Sequence, residues 1–223
     1  MKNRINARET NLAKVSEDKA LEDSLNTQGL FYLYSFFDKP TRKAHKIDSV
    51  EGQWVYDESR EKVPNKTYMY AVGPNGALYI GTPTVHSQFK AGKQTQSAGW
   101  LDYRWNESTG KKEVIMDNCS GHYTPTLSQF LSTVHGLCEA NMLPASFQIK
   151  LSKFTQFDYQ NDLDALFKKA KEDSSDTEKS ASILVHYDAE ANALSCSCGN
   201  QHVTFSAEQI KAKNIVMALG GGA

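Results

Sequence analysis

Thr67-Tyr68-Met69-Tyr70-Ala71-Val72, then Gly73-Pro74-Asn75-Gly76, then Ala77-Leu78-Tyr79-Ile80-Gly81: the reading of this stretch decides the fold class. The middle four residues are a strong turn signal, so the aromatic and β-branched flanks read as two strands of a hairpin. A second hairpin pairs 100–105 with 113–117 across Asn106-Glu107-Ser108-Thr109-Gly110, and a further strand fits 53–57 upstream. Residues 82–97, with His86 near their start, lie between the hairpins.

Upstream, the continuous apolar and aromatic run from Leu30 to Phe37 ends at Asp38-Lys39-Pro40. It reads as a buried strand, with a short helix left open by periodicity alone. Residues 9–25 carry only Leu12, Val15, Leu21 and Leu25 as large apolar side chains, which suits a weakly amphipathic helix or a partly ordered arm. Downstream, a helix is expected from Pro125 to about Asn141, capped by Thr124, with Pro125 in the first turn where a missing N–H costs nothing. Leu127, Phe130, Leu131, Val134, Leu137 and Cys138 share one face of it, and Pro144 ends it. A strand at 147–151, a helix at about 162–171 behind Asn161, and a polar stretch at 171–180 follow. Residues 183–187, 193–198 and 201–205 read as a three-stranded meander, and Ser206-x-x-Gln209 as a capping box for a last helix to about Leu219. The expected fold is therefore α+β, with a mainly antiparallel, twisted sheet, split or continuous, flanked by helices. Its parts are a helical arm (1–29), an α+β core (30–151) and a C-terminal unit of helix, meander and final helix (152–223).

The apolar fraction of 39%, with ten Phe and ten Tyr, is enough for a real core in 223 residues. A net charge of −1 gives no long-range field to gather nucleic acid, so none is expected as a partner. No apolar run approaches the roughly 20 residues of a spanning helix, so no membrane insertion is expected. The basic start Met1-Lys2-Asn3-Arg4 has no apolar stretch behind it, unlike a secretory signal. The expected location is cytoplasmic, or a host or target cell reached by a route that does not read such a signal. Cys119, Cys138, Cys196 and Cys198 fit no disulfide framework and suit a reducing compartment.

Cys196, Cys198 and His202 invite a zinc reading, which hairpin geometry opposes. A two-residue Gly199-Asn200 turn sets Cys196 opposite Val203 and Leu194 opposite Phe205 on an apolar face, with His202 on the other. A second ligand pair is also missing, so no metal is expected and the thiols read as small buried groups. Asp162, Asp164, Glu172 and Asp173 sit in surface-like sequence, and nucleotide-loop, nucleophile-elbow and HExxH patterns are absent. The informative junction is Asp117-Asn118-Cys119-Ser120-Gly121-His122-Tyr123-Thr124-Pro125. A strand ends there, Ser120-Gly121 turns the chain, and His122 and Tyr123 arrive at the mouth of a helix. Free N–H groups, an imidazole and a phenol together suit an anionic ligand such as a pyrophosphate. The alternative is a packed turn in which His122 caps a carbonyl and Tyr123 joins the core. Cys119 is a weaker nucleophile candidate, with His122 or His86 as its base. His86-Ser87-Gln88-Phe89 forms a second candidate in a polar loop, where functional residues tend to sit.

Leu78-Tyr79-Ile80-Gly81, His86-Ser87-x-Phe89-x-Ala91-Gly92, Ser97-Ala98-Gly99 and Ser120-Gly121-His122-Tyr123-x-Pro125 occur in the order of similar motifs in plant IQM proteins. About a hundred residues, from Arg42 to Met142, thus resemble a domain shared by those proteins and the C-terminal domains of bacterial polymorphic toxins. In the toxins the glycine of the third motif is usually followed by Glu, whereas here Trp100 follows Gly99. The calmodulin-binding IQ pattern is not visible, so calmodulin binding does not carry over. The resemblance singles out His86, Ser87, His122 and Tyr123 as matched polar positions. It favours a bacterial effector or toxin-type protein, and similarity to NAD-using split-sheet toxins makes NAD-dependent ADP-ribosyl transfer to a host or target protein the first functional class. In that reading His86, His122 and Tyr123 are catalytic, and Ser87, Ser120 and Gly121 help hold NAD. His86 and Ser87 would hold the ribose, Tyr123 would stack, and His122 would bind diphosphate or act as base. Glu113 and Asp117 are the nearest acidic candidates. The second class is a non-catalytic protein-binding module presenting Trp54, Trp100, Tyr103 and Trp105.

Overall fold

The computed structural model describes residues 37–83, 86–90, 95–120, 123, 125–152, 155 and 182–210, with Ser87 described by its backbone. The arm at 9–25, residues 30–36 of the aromatic run, the helix expected at 162–171 and the polar stretch at 171–180 lie outside these residues. Helix α1 (Lys39–Ala44) starts behind Asp38, whose carboxylate accepts the Thr41 N–H. It leads into a ribbon of β1 (Ile47–Val50) and β2 (Gln53–Tyr56). Glu51 and Gly52 turn between them at φ of 51° and 84°, the positive pair that a two-residue hairpin of native twist requires.

The main sheet contains β3 (Lys66–Val72), β4 (Leu78–Gly81), β5 (Ser97–Asn106), β6 (Lys111–Asp117), β7 (Ser146–Lys150), β8 (Ser182–Asp188), β9 (Ala193–Cys198) and β10 (Gln201–Ser206). Its order is β10-β9-β8-β7-β6-β5-β3-β4. Every neighbouring pair in it is antiparallel except β6 and β7, which run parallel. The fold is α+β with a mainly antiparallel sheet, and the eight strands are paired without a break, across residue 151. Parallel neighbours need a long crossover, which helix α2 (Leu127–Glu139) supplies between β6 and β7.

The start of α2 differs from the sequence expectation. Thr126, not Thr124, is the cap: its side chain accepts the Gln129 N–H while the Gln129 side chain accepts the Thr126 N–H. That reciprocal pair satisfies two backbone donors at once and leaves Pro125 outside the helix. At the other end Asn141, at φ 55°, turns the chain while the Met142 N–H returns to the Leu137 carbonyl, so the helix stops before Pro144 is reached. The six apolar residues expected on one face are all buried. In the meander, Cys196 lies opposite Val203, Leu194 opposite Phe205 and His202 opposite Ser197, the expected register. Burial pushes the Cys196 and Cys138 thiols up to about 12, as for inert core groups. The capping exchange between Ser206 and Gln209 is also present, with residues 207–210 helical.

One face of the sheet packs against α2. Tyr68, Tyr70, Val72, Leu78, Ile80, Leu101, Tyr103, Val114, Met116, Phe147, Ile149, Ile183, Val185, Leu194 and Cys196 meet Phe130, Leu131 and Val134 there. Trp54 closes one end of this core, stacked 4.6 Å from the Tyr103 ring, its indole donating to the Met142 carbonyl at 2.7 Å. On the other face, the register sets Met69, Ala71, Ala98, Trp100, Ile115, Asp117, Gln148 and Lys150. A smaller cluster of Ala71, Phe89, Ala98 and Tyr123 covers part of it.

Candidate active site at the open end of the β5–β6 hairpin

Antiparallel register counted from Leu101 and Met116 sets Trp100 beside Asp117 on the face away from α2. Asp117 is the last residue of β6, and its carboxylate replaces the next rung of the ladder. Oδ1 accepts the N–H of Trp100 at 2.7 Å and that of Cys119 at 2.9 Å. Gly99 makes this possible, since a Cβ there would run into the Asp117 carbonyl and carboxylate. The same Asp117 carbonyl accepts the Tyr70 hydroxyl at 2.7 Å. Burial raises the Tyr70 pKa well above the phenol range, so the hydroxyl stays a donor.

Burial also pushes the Asp117 carboxyl up to about 6, against the two N–H donors and the Lys150 ammonium, which pull it down. Desolvation wins over all three. Lys150 is its direct neighbour across the parallel pair and stands on the same face. The side chain is thus anchored through one oxygen, while Oδ2 makes no hydrogen bond among the described residues. A carboxyl that changes charge near neutral pH beside an accessible aromatic ring has the properties of a general acid or base.

His86 opens a short 3-10 helix (His86–Lys90) laid over this end of the sheet. Only 5% exposed, it sets Nε2 at 2.9 Å from the Gly99 carbonyl. A carbonyl can only accept, so Nε2 carries the proton. The imidazole also meets the Trp100 indole edge-to-face at 6.0 Å, and Trp100 keeps 38% of its surface exposed. Phe89 holds the 3-10 helix down against Phe37 and His45, and the Phe37 N–H donates to the Gln88 carbonyl.

Behind the site, buried Asn118 ties three segments together. Its Oδ1 accepts from the Ser152 N–H at 2.9 Å and the Thr155 hydroxyl at 3.0 Å, and its amide reaches the Pro125 carbonyl at 3.4 Å. The ends of β6 and β7 and the entry to α2 are therefore fixed relative to one another. The carboxyl ends of the parallel pair β6 and β7 both lie here.

The structure brings His86, Asp117 and Ser120 to this end of the sheet. Ser120 is buried and its hydroxyl accepts the Tyr123 N–H at 3.3 Å. Tyr123 is 1% exposed, its ring packed in the Ala71–Phe89–Ala98 cluster. Gly121 and His122 lie outside the described residues, as does the Ser87 side chain. Cys119 is exposed on the turn. Glu113 stands four residues back along β6, opposite Arg104 and about 13 Å away by strand rise, so of the two acidic candidates only Asp117 belongs to the site. The four aromatic residues expected to form a binding surface do not share one: Trp54 and Tyr103 are fully buried, and Trp105 packs on the core, leaving Trp100 exposed. Sequence reasoning assigned no role to Lys150, none to Asn118 beyond its place in the 117–125 junction, and none to Trp100 beyond the aromatic surface of a binding module. The register counted from the 106–110 turn was the signal for Trp100.

Fold and site define a mixed α+β protein with a carboxylate, an imidazole and an aromatic ring at the open end of one hairpin. No protein-family model matches the sequence, and no curated protein or solved structure matches it either. Among the described residues, no group of three His, Cys, Asp or Glu side chains could hold a metal ion. No helix among them is long and apolar enough to cross a membrane.

Proposed function

We propose that this chain is an effector- or toxin-type enzyme that uses NAD to ADP-ribosylate a protein target, with Asp117 as the acid–base residue. The single observation behind the reading is the Asp117 carboxyl, pushed up to about 6 by burial and anchored by Oδ1 alone. The substrate class comes from the likeness to NAD-using split-sheet toxins. In the reaction, the bond between ribose C1′ and the nicotinamide nitrogen breaks, and nicotinamide leaves with its electron pair as a neutral molecule. Ionised Asp117 offsets the positive charge that builds on the ribose. The incoming nucleophile of the target forms the new bond at C1′ and gives its proton to Asp117.

His86 acts here as a positioning residue, since it holds the Gly99 carbonyl and braces Trp100. The test is incubation of purified protein with NAD and a eukaryotic lysate, following nicotinamide release and labelled protein bands. Turnover that Asp117→Asn loses and His86→Ala reduces, both checked for folding, supports the reading. Absence of release and of labelling by the native chain removes it. Labelling of no protein, together with capture of a partner that Trp100→Ala abolishes, would favour the binding module.

A further inference from the structure

The row Trp100, Asp117, Lys150 crosses three adjacent strands at one level of the sheet, all on the face away from α2. Neighbouring strands are about 4.8 Å apart, so the row spans about 10 Å, the length of a nucleoside with its phosphate. Its chemistry changes in order: an exposed indole braced by His86, then a carboxylate, then an ammonium. A π face beside a carboxylate favours a planar cation, and an ammonium beyond them favours an anion. The Lys150 ammonium stands beside the carboxyl on the same face, partly exposed. A pyridinium nucleotide carries these groups in the same order: cationic ring, ribose, phosphate.

We infer that Trp100, Asp117 and Lys150 bind the pyridinium nucleotide half of the substrate, with the ring on Trp100, the ribose at Asp117 and the phosphate on Lys150. This rests on the proposed NAD-dependent reading and moves the ring platform from buried Tyr123 to exposed Trp100. The charge pattern also separates substrate from product. Nicotinamide, once released, is neutral, and loses the attraction both of the indole face and of the carboxylate. The reduced dinucleotide, with a neutral dihydropyridine ring, lacks that attraction from the start.

The experiment is calorimetric titration of the full chain and of Trp100→Ala, Trp100→Phe and Lys150→Ala with NAD, NADH and nicotinamide mononucleotide, with nicotinamide release measured alongside. Trp100 and Lys150 stand outside the main core, so the variants keep the fold, which circular dichroism checks. NAD affinity is expected to fall about tenfold in Trp100→Ala and Lys150→Ala and to be largely kept in Trp100→Phe. NADH is expected to bind about tenfold more weakly than NAD to the native chain. Release of nicotinamide with NAD affinity unchanged in both alanine variants overturns this site and leaves the enzyme reading standing. Binding that the variants lose, without any release, supports the site and removes the enzyme reading. No NAD binding at all overturns both.

Discussion

The two faces of the main sheet are made by alternate residues of the same strands, and they have been put to different uses. Toward α2, Tyr68, Leu101, Met116 and Ile149 line a continuous apolar core. Away from it, one residue along, stand Met69, Trp100, Asp117 and Lys150, with a small cluster around Phe89 over one side. The first face is saturated with apolar contacts. The second keeps a half-buried carboxyl whose charged form is disfavoured and an indole open to solvent. Core packing and titratable groups are thus separated by a single step along each strand, and substitutions on the two faces should differ in size and in sign.

The largest effect is expected on the α2 side. Phe130→Ala should cost about 3–5 kcal/mol, read as a fall in denaturant midpoint, because Phe130 is fully buried in the core. Next comes the boundary between the faces. Gly99→Ala should cost about 1–3 kcal/mol, since the new methyl group displaces the Asp117 backbone. Nicotinamide release should fall with it. A variant of native stability and turnover would show that the close approach of β5 and β6 is not needed.

Asp117→Asn should change stability in the opposite direction. The folded carboxyl sits at about 6, above its ordinary value of 3.8, so the folded state binds more protons than the unfolded state between those values. Stability of the native chain therefore falls as pH rises through that window, and the penalty is complete above it. Asn cannot ionise and can still accept both N–H groups. The variant should be more stable by about 2 kcal/mol at pH 7.5 and show little gain near pH 4, in thermal unfolding at the two pH values. The smallest effect is expected for Trp100→Ala, within about 0.5 kcal/mol, because the ring keeps 38% of its surface exposed. A much larger loss would place Trp100 with the core.

Much of the fold was legible in short-range signals. Gly73-Pro74-Asn75-Gly76, the 106–110 turn and Gly199-Asn200 each fix a hairpin, and turn length then fixes which side chains face each other, as Cys196 and Val203 do. The β1 strand was less visible, since four residues with Asp48 and Ser49 carry little apolar pattern. The start of α2 was misplaced because Pro125 is a good first-turn residue, while the Thr126–Gln129 exchange one step later satisfies more donors. For the site, sequence motifs drew notice to His86 and the 117–125 junction. They gave no sign that Asp117 would be desolvated, because that depends on Gly99 letting β5 close over it and on Tyr70 and Ser97 filling the space beneath. Such a property belongs to the packing of distant segments, and no local pattern encodes it.

The most direct test of Asp117 as the acid–base residue is the pH dependence of nicotinamide release from NAD by the native chain and by Asp117→Asn. The expected result is a kcat/KM that climbs as pH rises through about 6 in the native chain and is lost in the variant. Equal rates in the two proteins, or a native profile flat through that region, would contradict it.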